Sequence, residues 1–291
     1  MSDFSNVITD LHARKEQKKI GEILCDLGAL KPAQIEIILE KMIDNKNLLF
    51  GSAGVELNMF TNLNIMQALS EQFGYDYATN DKNVTERCME LAFNPFGIYA
   101  DKIRSVRNFL MRNWFSAENK SLVIMGVDVG DGVSTFAANL AISFAQARRE
   151  TLLVDSDLRA GRQRQAFGID DRLGLSDMLA SRAGYAAIQR FEKFKSLSLL
   201  PSGTKPPNAL ELVSQLGYAT LCGELSSHYE TVLIDAPALC SGPDALETAA
   251  VVGAVLLVVR KNRTTTKGLL SLKNRLAEQN SRIIGYVVTD F

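Results

Sequence analysis

The sequence lacks an apolar run long enough to cross a membrane as a helix. Its longest apolar stretch, Ala249 to Val259, falls well short of the ~20 residues that such a helix needs, and it ends on Arg260 and Lys261. The opening segment, MSDFSNVITDLHARKEQKK, is polar and has no apolar signal region. We therefore expect a cytoplasmic protein.

Basic charge and paired cysteines are also scarce. The chain has 32 Lys and Arg against 33 Asp and Glu, so its net charge of -1 gives no field to hold a nucleic-acid backbone. Its four cysteines, Cys25, Cys88, Cys222 and Cys240, lie far apart without metal-ligand spacing. These absences exclude a dedicated nucleic-acid binder and a structural zinc site.

The pattern of apolar residues changes along the chain. With 46% hydrophobic and 22% charged residues the chain is globular, and apolar residues recur at helical spacing before residue 80. After residue 120, short runs rich in Val, Ile and Leu alternate with helical segments. We expect a helical repeat domain over 1–82, a linker and helix over 83–118, and a third region over 119–291.

The first region contains a faint internal repeat. IGEILCDLGALKPAQIEIILEKM aligns with FGSAGVELNMFTNLNIMQALSEQ at an offset of about thirty residues, a period typical of helix-pair repeats. Each copy predicts a helix, a turn at Gly28-Ala29 or Asn58-Met59, and a second helix. The residues expected inside are Leu27, Ile35, Leu39, Leu57, Ile65 and Leu69.

The third region has the pattern of an α/β domain. Its β-rich runs are LVIMGV, TLLVD, LSLLP, TVLIDAP, AVLLVVR and IIGYVV, separated by segments long enough for helices. Strands buried on both faces of a parallel sheet have this composition. The fold class expected is a P-loop, doubly wound, mostly parallel sheet, preceded by a small all-α repeat domain.

A glycine-rich turn follows the first of these strands. In GVDVGDGVSTFAANLAISFAQ, Gly130 and Gly132 allow a tight turn into a helix, whose free N–H groups and dipole favour a phosphate. Asp155, Asp157 and Asp235 stand at the ends of two later strands, where open α/β sheets bind ligands. The combination predicts a nucleotide and magnesium site.

These motifs resemble those of the bacterial tyrosine autokinases (BY-kinases) of capsule and exopolysaccharide export, relatives of the Mrp/MinD ATPases. GDGVSTFAANLA resembles their Walker A motif, LLVDSDLR their Walker A′ motif, VLIDAPAL their Walker B motif and DKIRSVR their ExxRxxR helix. The resemblance implies ATP and magnesium as cofactors. It also implies two partners, other copies of the chain and the cytoplasmic part of a membrane polysaccharide co-polymerase.

The resemblance further implies residue roles. The nucleotide cradle would be Gly130, Asp131, Gly132, Val133, Ser134 and Thr135. Asp155 would be a base toward a tyrosine hydroxyl, Asp157 and Ser134 would hold magnesium, and Asp235 would order the metal's water shell. Asp101, Arg104 and Arg107 would lie in a subunit interface, with Asp in place of the usual Glu.

The chain departs from this family at the Walker A lysine, where it has Val133. The lysine stabilises the transferring phosphate, so its loss should cost on the order of 10²- to 10³-fold in rate. The alternative lysine position of related ATPases holds Asp128, and Thr289 replaces an Asn that reads adenine in relatives. The seven tyrosines are scattered rather than clustered in a tail.

Three functions remain open on the sequence. The first is a regulator of exopolysaccharide biosynthesis or export with weak or no phosphotransfer. The second is an active tyrosine autokinase in which Lys120 or Arg159 replaces the lysine. The third is a cyclic di-GMP sensor, because the first region resembles the N-terminal domain of type II secretion and pilus ATPases; Lys19 precedes the first repeat, but Leu49 precedes the second.

Overall fold

The computed structural model describes residues 18–45, 48–73, 89–191 and 194–290. The chain divides into two compact units, Met1–Tyr77 and Ala78–Phe291. The start of the segment predicted as linker and helix, residues 83–88, lies outside the described residues. Within the ranges described, no helix combines the length and apolar character needed to span a bilayer.

The first unit is built from two similar helix pairs. Its described helices are α1 (Ile20–Asp26), α2 (Pro32–Asp44), α3 (Phe50–Glu56) and α4 (Asn62–Phe73). Both pairs turn through one left-handed residue, Gly28 at φ 69° and Asn58 at φ 54°. Glycine and asparagine are the residues that adopt this conformation at least cost. The helix starts and the turns therefore follow the offset seen in the sequence.

The core of the first unit also follows the repeat. Leu30 and Phe60 occupy equivalent buried positions, as do Ile38 and Ala68. The expectation for Leu27 and Leu39 was wrong, because these side chains are 42% and 46% exposed. Leu27 follows the last residue of α1, and α2 buries the stripe through Ile38, which leaves the neighbouring Leu39 at the edge of that stripe.

The second unit is a doubly wound sheet, which confirms the predicted fold class. The strands are β1 (Ser121–Gly126), β2 (Thr151–Asp155), β3 (Gln189–Arg190), β4 (Leu197–Leu200), β5 (Thr231–Asp235), β6 (Ala254–Arg260) and β7 (Arg282–Thr289). Their order is β3-β4-β2-β5-β1-β6-β7, and every neighbouring pair is parallel except β3 with β4. Both faces of the sheet carry buried apolar clusters, as parallel sheets require.

Helices cover both faces of this sheet. In chain order they are α5 (Glu90–Phe93), α6 (Ile98–Asn113), α7 (Val133–Gln146), α8 (Gln163–Ala166), α9 (Leu175–Leu179), α10 (Ala209–Ser214), α11 (Leu216–His228), α12 (Asp244–Val252) and α13 (Thr266–Glu278). The most deeply placed is α7, in which every residue from Phe136 to Gln146 is buried. The P-loop is therefore anchored by a helix that cannot move without disturbing the core.

Candidate functional site

The P-loop follows β1 and leads into α7. Gly130 at φ 93° and Gly132 at φ 88° both have the left-handed backbone conformation, and Gly132 is the N-cap residue of α7. Because the first N–H groups of a helix have no partner within it, the start of α7 offers donors to an anion. Ser134 and Thr135 are half-buried at this point and line the adjoining cavity.

Asp131 shapes the loop from inside. Its buried carboxylate accepts hydrogen bonds from the backbone N–H groups of Val127 at 3.1 Å and Asp128 at 2.9 Å. It also accepts one from the hydroxyl of Thr264 at 2.9 Å. A carboxylate with several donors is well stabilised when buried. Asp131, predicted as part of the cradle, therefore holds the loop's conformation while its neighbours face the cavity.

Residues of β6 and β7 and of the turn after β6 donate hydrogen bonds to the same loop. The Thr289 hydroxyl donates to the Asp131 carbonyl at 2.9 Å. Arg260 and Arg263 donate to the carbonyls of Gly130 and Val129, each at 3.1 Å. Thr289 is 7% exposed, so at the position where relatives are expected to read adenine this chain has a residue turned toward its own P-loop.

Two of the predicted carboxylates meet behind the loop. Asp155 ends β2 and Asp235 ends β5, and the two residues are partners in the parallel register. Both are buried, at 0% and 1% exposure. Gln163 joins them, since its backbone N–H donates to Asp155 at 3.0 Å and its side-chain Nε2 donates to Asp235 at 2.7 Å.

Burial changes the protonation of this pair. Removal from water raises the pKa of the Asp235 carboxyl to about 7, although hydrogen bonds from Gln163 and Ser134 and the charge of Arg162 oppose the rise. Burial, followed by the charge of Asp235, raises the pKa of Asp155 well above its ordinary value. Burial therefore makes both carboxyl groups harder to ionise than exposed ones.

This pKa predicts how Asp235→Asn changes stability. The folded chain holds the Asp235 proton more tightly than the unfolded chain, so its contribution to stability falls as pH rises from 3.8 toward about 7. Asparagine carries no charge at any pH. We expect it to stabilise the fold by on the order of 2 kcal/mol at pH 8 and by less at pH 5.

Melting temperatures at pH 5 and pH 8 check this expectation. Asp101→Asn is the control for removing a negative charge that is not buried. A larger gain from Asp235→Asn at pH 5 than at pH 8 would contradict the expected direction.

Asp157 lies on the open side of the site. It lines a cavity of about 850 Å³, within the range of small-molecule pockets. The other walls come from 128–130, 132–135, 158–166, 202–203, 205, 236–238 and 241. One of its carboxylate oxygens accepts the backbone N–H groups of Arg159 and Ala160, at 3.1 and 2.9 Å. Asp157 and Ser134 line the same cavity, and their role as a metal pair stays a prediction.

The cationic residues of the cavity differ from those expected. Lys120 precedes β1 and its carbonyl accepts the Val232 N–H, so it lies at the opposite end of the sheet from the P-loop and cannot replace the lysine. Arg159 lines the cavity but pairs with the buried carboxylate of Asp244 at 3.2 Å. The cations missed by sequence reasoning are Arg162, Arg164 and Lys205, which also line the cavity. The run RAGRQR was the available signal.

The residues present fit magnesium only together with a phosphate. In the ranges that the structure describes, no three His, Cys, Asp or Glu side chains form a metal-binding group. Magnesium usually keeps several waters and takes few protein ligands beside phosphate oxygens. Asp235 Oδ1, buried without a hydrogen-bond partner, is an acceptor suited to such a water. Ser134 and Asp157 would supply the direct ligands, and the metal would neutralise phosphate charge.

The helix matched to ExxRxxR makes contacts within its own chain. Arg104 binds the exposed Asp101 at 3.3 Å and the carbonyl of Pro95, and Arg107 donates to the carbonyl of Ser143 in α7 at 2.8 Å. The Arg107 bond joins α6 to α7, whereas these Arg104 bonds stay within α6 and the residues just before it. The subunit interface through Asp101, Arg104 and Arg107 stays a prediction. On the same helix Ile98 is 78% exposed in the first turn.

The residues predicted to contact cyclic di-GMP stand at helix starts. Lys19 is exposed before α1, and its backbone N–H donates to the Glu22 carboxylate at 3.0 Å. The equivalent Leu49 before α3 is 74% exposed and apolar. Binding of cyclic di-GMP stays a prediction, since a single basic residue before one helix is all that supports it.

Comparisons with known proteins agree with the geometry. The family model of the cellulose biosynthesis protein BcsQ matches residues 119–284. The tyrosine-protein kinase YwqD of Bacillus subtilis is 29% identical over 67% of this chain and 82% of its own length. The kinase domain of the Escherichia coli tyrosine kinase ETK is 26% identical and superposes with a TM-score of 0.67, over 73% of this chain and 82% of that domain.

Another relative is much longer than this chain. The tyrosine-protein kinase wzc of Salmonella typhi is 29% identical over 90% of this chain but only 39% of its own length. The match therefore concerns a part of that protein, and activities of the whole relative do not transfer with it.

Proposed function

The chain belongs to the family of the cellulose biosynthesis protein BcsQ, with bacterial tyrosine-protein kinases among its relatives, and on that basis we propose a regulator of exopolysaccharide biosynthesis or export. It binds nucleotide but transfers phosphate weakly or not at all. Its partners are other copies of the chain and the cytoplasmic part of a membrane polysaccharide co-polymerase.

The observation that carries this proposal is Val133. This residue begins α7 directly after Gly132, in the position of the Walker A lysine, and its side chain is 8% exposed within the main core of the unit. The loop glycines, Ser134, Asp157, Asp155 and Asp235 are otherwise in place. The site therefore retains what holds a nucleotide and lacks the cation that acts on the transferring phosphate.

Four cationic side chains around the cavity support retained nucleotide binding. Arg162, Arg164 and Lys205 line it together with Arg159, whose charge is balanced by Asp244. Arg162 also lies near enough to Asp235 to oppose the rise in its pKa. These charges favour an anionic ligand in the cavity.

Arg162 is also what favours the second candidate function, an active tyrosine autokinase. Arg162 lines the cavity, whereas Lys120 lies at the other end of the sheet and Arg159 is paired with Asp244. If Arg162 replaced the lysine, the chain would transfer phosphate and Arg162→Ala would abolish the transfer.

The test is incubation of the full chain with magnesium and ATP labelled on the γ-phosphate, alongside calorimetric titration with the same nucleotide. We expect heat of binding and almost no label on the protein. Tyrosine labelling that is lost in both Asp155→Ala and Arg162→Ala would contradict the proposal and establish the autokinase instead.

A further inference from the structure

Gln163 ties the P-loop to both buried carboxylates. It begins α8 and is 1% exposed. Its Nε2 donates to the carbonyl of Ser134 at 2.9 Å and to Oδ2 of Asp235 at 2.7 Å, and its backbone N–H donates to Asp155 at 3.0 Å. A single residue thus fixes the spacing between the loop and the ends of two strands.

The neighbours of the Gln163 amide determine its orientation. A backbone carbonyl has no proton to donate, so the NH₂ group and not the oxygen must face Ser134. The amide oxygen Oε1 therefore points away from Ser134, and it is buried without a hydrogen-bond partner. Oδ1 of Asp235 is buried and unpartnered as well. When Asp235 is ionised, two unsatisfied acceptors consequently occur in one small site.

Unsatisfied buried acceptors call for a ligand that brings donors. A buried oxygen that accepts no hydrogen bond is unfavourable. Two such oxygens in one hydrogen-bond network are rare unless a bound group donates to them. A nucleotide phosphate is itself an acceptor and cannot supply donors to these oxygens. Water molecules held by a cation can, because the cation strengthens them as donors.

Resting on the nucleotide site proposed above, we propose that Gln163 is a positioning residue for magnesium bound with the nucleotide. Its Oε1, together with Oδ1 of Asp235, accepts hydrogen bonds from metal-bound water. Its Nε2 holds Ser134 and Asp235 at the distance that the metal site needs. Partners that hydrogen-bond to metal ligands in this way commonly change metal affinity 10- to 100-fold when they are mutated.

The test separates binding of the metal from binding of the nucleotide. The dissociation constant of ADP for the full chain is measured by calorimetry in EDTA and in excess magnesium chloride, and the ratio of the two constants is the magnesium increment. We expect Gln163→Leu to lower this increment at least about tenfold. Its ADP affinity in EDTA should change less than threefold.

Gln215→Leu is the matched control, because it is the same substitution at an exposed glutamine outside the cavity. It should leave the increment unchanged. Gln163→Met, which keeps the length and volume of the side chain without its polar atoms, carries the test if Gln163→Leu does not fold.

An unchanged increment in the variant would overturn the role of Gln163. If ADP affinity falls equally with and without magnesium, the increment is likewise unchanged, and Gln163 only supports the loop. A wild-type chain that binds no ADP in either buffer would instead refute the proposed nucleotide site, and the role of Gln163 with it.

Discussion

Val133→Lys is expected to raise phosphoryl transfer by about 10²- to 10³-fold, the size of effect seen when one preorganised group is removed from a transition state. Val133 lines the cavity at the first turn of α7, so an ammonium on a long stem can reach the phosphates from this position. The methylene groups of lysine can occupy the space that the valine side chain fills now. Transfer of label from ATP and release of phosphate measure the gain.

Val133→Met is the control for this gain. Methionine gives a long side chain without charge, so it should leave the rate at the level of the unmodified chain. The lysine variant should also lose its gain when combined with Asp157→Asn, if Asp157 and Ser134 hold magnesium. A lysine variant that binds ATP but transfers no faster would show that a second part of the site is defective.

The central sheet could be predicted because its strands are apolar on both faces. The runs TLLVD and AVLLVVR coincide with β2 and β6. A strand buried on both faces is a continuous apolar run, so the length of the run shows where the strand begins and ends. β3 was missed for the opposite reason. It is an edge strand of two polar residues, Gln189 and Arg190, antiparallel to β4, and its pairing depends on the path of the loop before it.

The candidate site was predictable only where it follows from strand ends. Asp155 and Asp235 end parallel strands, so topology alone brings them to the same edge of the sheet. Gln163 lies 29 residues from Ser134 and 72 from Asp235, and no local pattern shows that a residue in the loop after β2 folds back between them. The same holds for Arg162, whose position is set by that loop.

In the helical unit the internal repeat predicted the turns and the buried positions better than the apolar character of single residues did. Gly28 and Asn58 align in the sequence and share the left-handed turn, although only one of them is glycine. Apolar side chains alone did not distinguish Ile38 from Leu39, because both belong to a broad helical stripe. Two short helix pairs offer too little partner surface to cover the whole apolar stripe of α2. The residues at the centre of the stripe are therefore buried, and those at its edge stay exposed.

This division of the stripe predicts opposite outcomes for two neighbouring substitutions. Ile38→Asp should unfold the first unit, because Ile38 is 0% exposed and an unpaired charge there costs about 3 to 5 kcal/mol, a large part of what so small a core can supply. Leu39→Asp introduces the same charge at a side chain that is 46% exposed and should cost less than about 1 kcal/mol.

Hydrogen exchange of the full chain, followed over residues 18–73, measures both effects. Amides of α1 to α4 should lose protection in Ile38→Asp and keep it in Leu39→Asp, while β1 to β7 stay protected in both variants because the second unit has its own core. Equal loss of protection in the two variants would mean that Leu39 is covered in solution by a surface outside the first unit. Loss of protection in the sheet as well would mean that the two units fold as one.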